Sequence, residues 1–79
     1  MIHISMDDFL SNGILKEKEF REMMEKIDWS QYSGKSVLVQ SCHSILPIWS
    51  YMIITSKLIP FANKVYYGDV HSPIPIFSK

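Results

Sequence analysis

The sequence has a single cysteine, Cys42. One thiol rules out an intrachain disulfide and argues against a disulfide-stapled secreted scaffold. No block of like charge is present, and eight acidic residues balance eight basic ones. Nucleic-acid binding draws most of its affinity from neutralising phosphates along a basic stripe. Without a stripe, DNA and RNA are not expected partners. No apolar run is long enough to span a bilayer, which takes roughly 20 residues. The most apolar stretch, 45–59, is interrupted by Ser50, Thr55, Ser56 and Lys57. The opening Met-Ile-His-Ile-Ser-Met-Asp-Asp lacks the basic start and apolar core of a signal peptide. A cytoplasmic location with no membrane partner is the expectation. There are no internal repeats and no low-complexity tracts.

Apolar residues are plentiful instead. They make up 47% of only 79 residues, with four Phe, four Tyr and two Trp. A chain this short forms one domain, 1–79, and buries only about 60–65% of its unfolded surface. Some of the apolar supply must reach the surface, where a second copy would cover it. A homodimer or higher homo-oligomer is therefore expected.

Local patterns predict an α/β fold. Met1 to Ile4 reads as a short strand, and Ser5 as the N-cap of a helical turn over Met6 to Leu10. Asp7 and Asp8 suit the positive end of that turn. Asn12-Gly13 breaks the chain. Leu15 to Ile27 reads as an amphipathic helix with Phe20, Met23, Met24 and Ile27 on one stripe. Its other face carries Glu17 four before Arg21 and Glu22 four before Lys26, the favourable order for such pairs. Asp28 to Lys35 is a loop whose Trp29 and Tyr32 are expected to fold back as plugs.

Ser36 to Ser41 follows. Its Val-Leu-Val run predicts a strand buried on both faces. A second helix is expected from an N-cap at Ser44, with Pro47 in its first turn, to about Ile59. It is apolar nearly all round, so one side should meet the sheet and another a partner chain. Lys64 to Gly68 reads as the next strand. Val37 to Gly68 is then a parallel, right-handed β-α-β unit. The tail Ser72 to Phe77, with two prolines, is confined to a sheet edge or an extended arm.

Ligands of open α/β sheets bind beyond the carboxyl ends of the strands. That rule points to Ser41, Cys42, His43, Ser44, Asp69 and His71 as the candidate site. The first chemistry open to this set is capture of a small, nucleotide-like anion. Helix-start N–H groups and serine hydroxyls would hold it, the histidines would tune charge, and Trp49, Tyr66 or Tyr67 would offer a stacking surface. No Gly-rich phosphate loop and no nearby arginine support it. The second is a metal site, since Cys42, His43, Asp69 and His71 are all zinc or iron ligand types. Their spacing matches no established ligand pattern. The third is thiol catalysis by Cys42, with His71 and Asp69 as base and orienter. A strand ending in cysteine before a helix resembles the rhodanese arrangement. That family's glycine- and arginine-bearing loop is replaced here by Ser-Ile-Leu-Pro. The plainer alternative is structural: a small buried cysteine, a Gly-Asp turn and surface histidines. A non-enzymatic binding domain without a resident cofactor is the expectation, with a protein–protein interaction module as the alternative.

Four segments resemble an uncharacterised bacterial family found in Bacteroidetes. They are Gly13-Ile-Leu-Lys-Glu-Lys-Glu-Phe-Arg21, Asp28-Trp-Ser-Gln-Tyr32, Pro47-Ile-Trp-Ser-Tyr-Met52 and Lys64-Val-Tyr-Tyr-Gly-Asp69. The resemblance implies parent proteins about twice this length, built of two similar halves. A half-length chain would then homodimerise to mimic the parent. It also implies genes near iron–sulfur assembly genes, hence a metal-binding accessory role as a further alternative. Parent cysteines near the positions of Cys42 and His71 would leave this chain one thiol short of any two-thiol chemistry. A free-standing half is also consistent with a phage or mobile-element protein that binds and does not catalyse.

Overall fold

The computed structural model describes residues 1–41 and 45–79. Four strands form one mixed sheet. They are β1 (Ile2–Ser5), β2 (Ser36–Gln40), β3 (Lys64–Asp69) and β4 (Ser72–Ser78), in spatial order β1-β2-β3-β4. β1, β2 and β3 run parallel, and β4 returns antiparallel along β3. Helix α1 (Glu17–Lys26) connects β1 to β2, and α2 (Ile48–Leu58) connects β2 to β3. The expected central β-α-β unit is present, and its two strands are direct neighbours.

Both helices lie on one face of the sheet. Phe20 and Met24 from α1 and Ile54 and Leu58 from α2 share one buried cluster with Ile4, Val37, Val39 and Val65. Two crossovers of the same hand, joining strands in sequential order, must fall on the same side. Side chains alternate along a strand. Leu38 therefore faces away from the helices, between His3 and Tyr66 in register. It is nonetheless only 1% exposed. The Val-Leu-Val run is buried throughout, as its composition predicts, although one sheet face carries no helix.

The helix boundaries differ from expectation for local reasons. α1 starts two residues after Leu15, and its N-cap, Lys16, makes no side-chain cap bond. Phe20 and Met24 are fully buried, whereas Met23 and Ile27 are only half-buried. The Glu17–Arg21 pair forms at 3.0 Å. The expected Glu22–Lys26 pair is not among the ion pairs of the described residues; Glu25 instead meets Lys57 of α2 at 2.9 Å. α2 begins after Pro47, not before it. Pro47 is extended at ψ 139° and serves as the N-cap, and a proline keeps the preceding Leu46 out of the helical region. The expected N-cap, Ser44, lies outside the described residues.

The turns follow the sequence closely. Ser5 accepts a hydrogen bond from the Asp7 N–H at 3.3 Å and caps a 3-10 turn over Met6–Phe9. Asn12 and Gly13 both take positive φ and close a tight turn between Ser11 and Ile14; two successive positive φ values are what makes Asn-Gly the favoured pair there. Within the expected loop, Trp29–Tyr32 forms a second 3-10 turn. Trp29 plugs the core as expected, and its indole N–H donates to the Met24 carbonyl at 2.8 Å. Tyr32 packs against it at 5.9 Å between ring centres. Partial burial pushes the Tyr32 hydroxyl pKa up, because the ionised form loses hydration.

The tail is an edge strand of the chain's own sheet. Asp69 and Ser72 pair at the base of a two-residue turn. Pro73 pairs with Gly68 and Pro75 with Tyr66. A proline has no N–H for the ladder, so both prolines turn their nitrogens to the outer, unpaired side. The free edge of β4 thereby lacks two donors, a standard block to edge-to-edge growth.

Candidate functional site

Two surfaces compete as the site. The first is the strand-end edge that the sequence points to. The Ser41 N–H donates to the Gly68 carbonyl at 2.9 Å, carrying the β2–β3 pairing one residue past the end of β2. The Ser41 hydroxyl reaches the same oxygen at 3.5 Å. Ser41, just past β2, thus lies beside Gly68 near the end of β3, as parallel neighbouring strands require. Beyond Gly68, the Asp69 carboxylate accepts the His71 backbone N–H at 2.7 Å. That bond gives Asp69 a turn-closing role. Asp69 and His71 are both exposed. Cys42, His43 and Ser44 lie outside the described residues. Among the described residues, no group of three His, Cys, Asp or Glu side chains comes together as a metal set. The described part of this edge therefore offers one hydroxyl, one carboxylate and one imidazole. The carboxylate works against an anion.

The second surface lies on the outer side of α2. Ser50, Ile54 and Leu58, four residues apart, form the stripe that α2 buries against the sheet. The helix is apolar on its other side too. There Ile48 is 76% exposed and Met52 66%. The sequence predicts that α2 is covered on more than one side; within the chain it packs on the sheet and, through Trp49, on α1, and the side with Ile48 and Met52 stays bare. Between this bare side and the flank of β3 and β4 runs a groove of about 340 Å³. Tyr51 and Tyr67 form its floor, ring edge to ring face with centres 5.1 Å apart. Met52, Ile59 and Ile76 rise around them. No lining side chain is charged. Only hydroxyls, from the two tyrosines, Thr55 and Ser56, break the apolar surface.

A family profile described as "Protein of unknown function (DUF2480)" matches residues 1–77. The chain belongs to this family. No curated protein and no solved structure matches it. Membership thus agrees with the resemblance to an uncharacterised family and assigns no activity. No helix among the described residues is long and apolar enough to cross a membrane.

Within this DUF2480 member, the groove is what the sequence reading only half located. The all-round apolar composition of α2 signalled a second covered face. It did not say which residues form it. Trp49, a stacking candidate, turns toward α1. Its ring meets Phe20 edge-on at 5.8 Å, and the Arg21 guanidinium sits over it at 5.8 Å. Tyr67, another stacking candidate, does line the groove. Ile76 was legible only as part of an extended tail. Pairing β4 to β3, with a register shift next to Val65 and Tyr66, brings it beside α2.

Proposed function

We propose that the chain is a non-enzymatic binding domain whose working surface is the apolar side of α2 with the flank of β4. The observation that carries this reading is the uncharged groove flanked by the exposed Ile48 and Met52. Large apolar patches left in water mark surfaces that are covered in use. An uncharged, wide and open groove suits another protein surface better than a small polar metabolite. A photo-reactive benzoylphenylalanine at Met52, expressed in the native cell, tests it. Protein-sized adducts are expected at Met52 and none at Glu19, which lies on the exposed face of α1. Equal labelling at both positions, or none at either, would overturn the reading.

A second reading has its own support. The Ser41–Gly68 hydrogen bond puts Ser41 beside the end of β3, which supports capture of a small anion at Ser41, Cys42, His43, Ser44, Asp69 and His71. Titration with AMP, followed by amide NMR, is expected under this reading to shift Ser41 and His71 saturably. Unmoved resonances at millimolar AMP would remove it. Iron or zinc retained by the purified chain would instead favour the metal-binding accessory role that the resemblance to a family near iron–sulfur assembly genes implies.

A further inference from the structure

We propose that the partner held by the α2 groove is a second copy of this chain, packed helix to helix about a two-fold axis; the inference rests on the groove being a binding surface. The spacing along the bare side is the first argument. Exposed Ile48, Met52 and Ile59, with half-buried Thr55 between the last two, follow one another at steps of four, three and four. That is the seam along which one helix packs against another at a shallow angle.

The second argument is shape. The ridge of Ile48 and Met52 borders the groove floored by Tyr51 and Tyr67. Ridge beside groove on one surface is self-complementary. A two-fold rotation sets each ridge into the other copy's groove and closes the pair.

Charge and area point the same way. The seam and groove carry no ionisable side chain other than the two tyrosines. Lys57, the one basic residue of α2, is held at Glu25. With eight charges of each sign, two copies meet without net repulsion. Nine large hydrophobic side chains are exposed among the described residues, and five of them (Ile48, Met52, Ile59, Ile74 and Ile76) lie on this side. Ile74 joins them because it pairs with Tyr67 and so faces the helices. A stable dimer takes about 800 Å² from each partner. Against a total surface of 5037 Å², that is about one sixth, from the side where exposed apolar groups concentrate. Pairing through the edge of β4, which borders this side, is disfavoured by Pro73 and Pro75.

Sedimentation equilibrium of the full chain tests the proposal. The expected mass is twice the 9.2 kDa of one chain. Met52→Glu and Ile48→Glu should each give a folded monomer, because both side chains are exposed and the core is untouched. Circular dichroism checks the fold of each. Ile14→Glu, at an exposed site in the Asn12-Gly13 turn, should leave the dimer intact. A wild-type monomer at millimolar concentration, or a dimer that survives both seam variants, would overturn the proposal. If the pure chain is a monomer yet Met52 still yields adducts in the cell, the groove binds a different protein and only the second copy is wrong. If Met52 also yields none, the groove reading fails with it.

Discussion

Phe20→Ala is expected to bring the urea midpoint close to zero, the largest loss from any single truncation in this chain. Phe20 is fully buried in the one core cluster. Its ring meets Phe9 and Trp49 edge-on, each at 5.8 Å, so one side chain joins the first 3-10 turn, α1 and α2. Truncating a buried Phe costs about 3–5 kcal/mol in lost transfer and residual cavity. The whole stability of a domain is only about 0.05–0.15 kcal/mol per residue. For this short chain the two quantities are of similar size. The cavity has little means of collapsing, since β2 and β3 are pinned by their parallel ladder on the far side of the core. Urea unfolding followed by circular dichroism reads the result. A midpoint within a few tenths molar of wild type would mean that Phe20 does not tie the two helices together. Dimer formation adds a distinguishing feature: the wild-type midpoint should then rise with protein concentration, because association stabilises the folded state by mass action.

The same residue shows what the sequence makes legible. Phe20 and Met24 sit four apart on a helix whose remaining positions are all charged except Met23, so only one orientation buries them. The Val-Leu-Val run and the Lys-Val-Tyr-Tyr-Gly run are short and apolar or aromatic, and a helix-length segment lies between them. These constraints fix a parallel pair. α2 is different. Ile48, Trp49, Tyr51, Met52, Ile53, Ile54, Leu58 and Ile59 surround the helix, so hydrophobicity alone gives no preferred face. Tertiary packing decides. Ser50, which looks polar, ends up buried because its hydroxyl donates to the Pro47 carbonyl at 2.7 Å. Met52, which looks like core, ends up in water. α2 starts at Ile48, later than its composition predicts, for a backbone reason: Pro47 keeps Leu46 out of the helical region. At the strand-end edge, the placement of Ser41 beside Gly68 is legible, because it follows from parallel neighbours alone. The apolar groove was not, because it needs the antiparallel return of β4 and the register shift that brings Ile76 to α2.

Replacing both edge prolines, Pro73→Val with Pro75→Val, is expected to convert a discrete species into large assemblies. In wild type, the outer side of β4 presents carbonyls at these positions without the matching N–H groups. Valine restores two donors and favours the extended backbone already present. The pairing to β3 is untouched, since these nitrogens point away from it. Each interchain hydrogen bond gained is worth about 0.5–1.5 kcal/mol net, and two copies of the opened edge can pair antiparallel. A single two-fold contact closes on itself at two copies. A chain with two different two-fold contacts, one through α2 and one through β4, generally does not close; it extends. Light scattering should therefore rise with concentration for the double variant and stay flat for wild type. Adding Met52→Glu removes the α2 contact and should cap growth at an edge-paired dimer. If the double variant keeps the wild-type mass at every concentration, the prolines do not guard this edge. If growth persists undiminished with Met52→Glu present, the assemblies form without the α2 face, and the two-contact account fails.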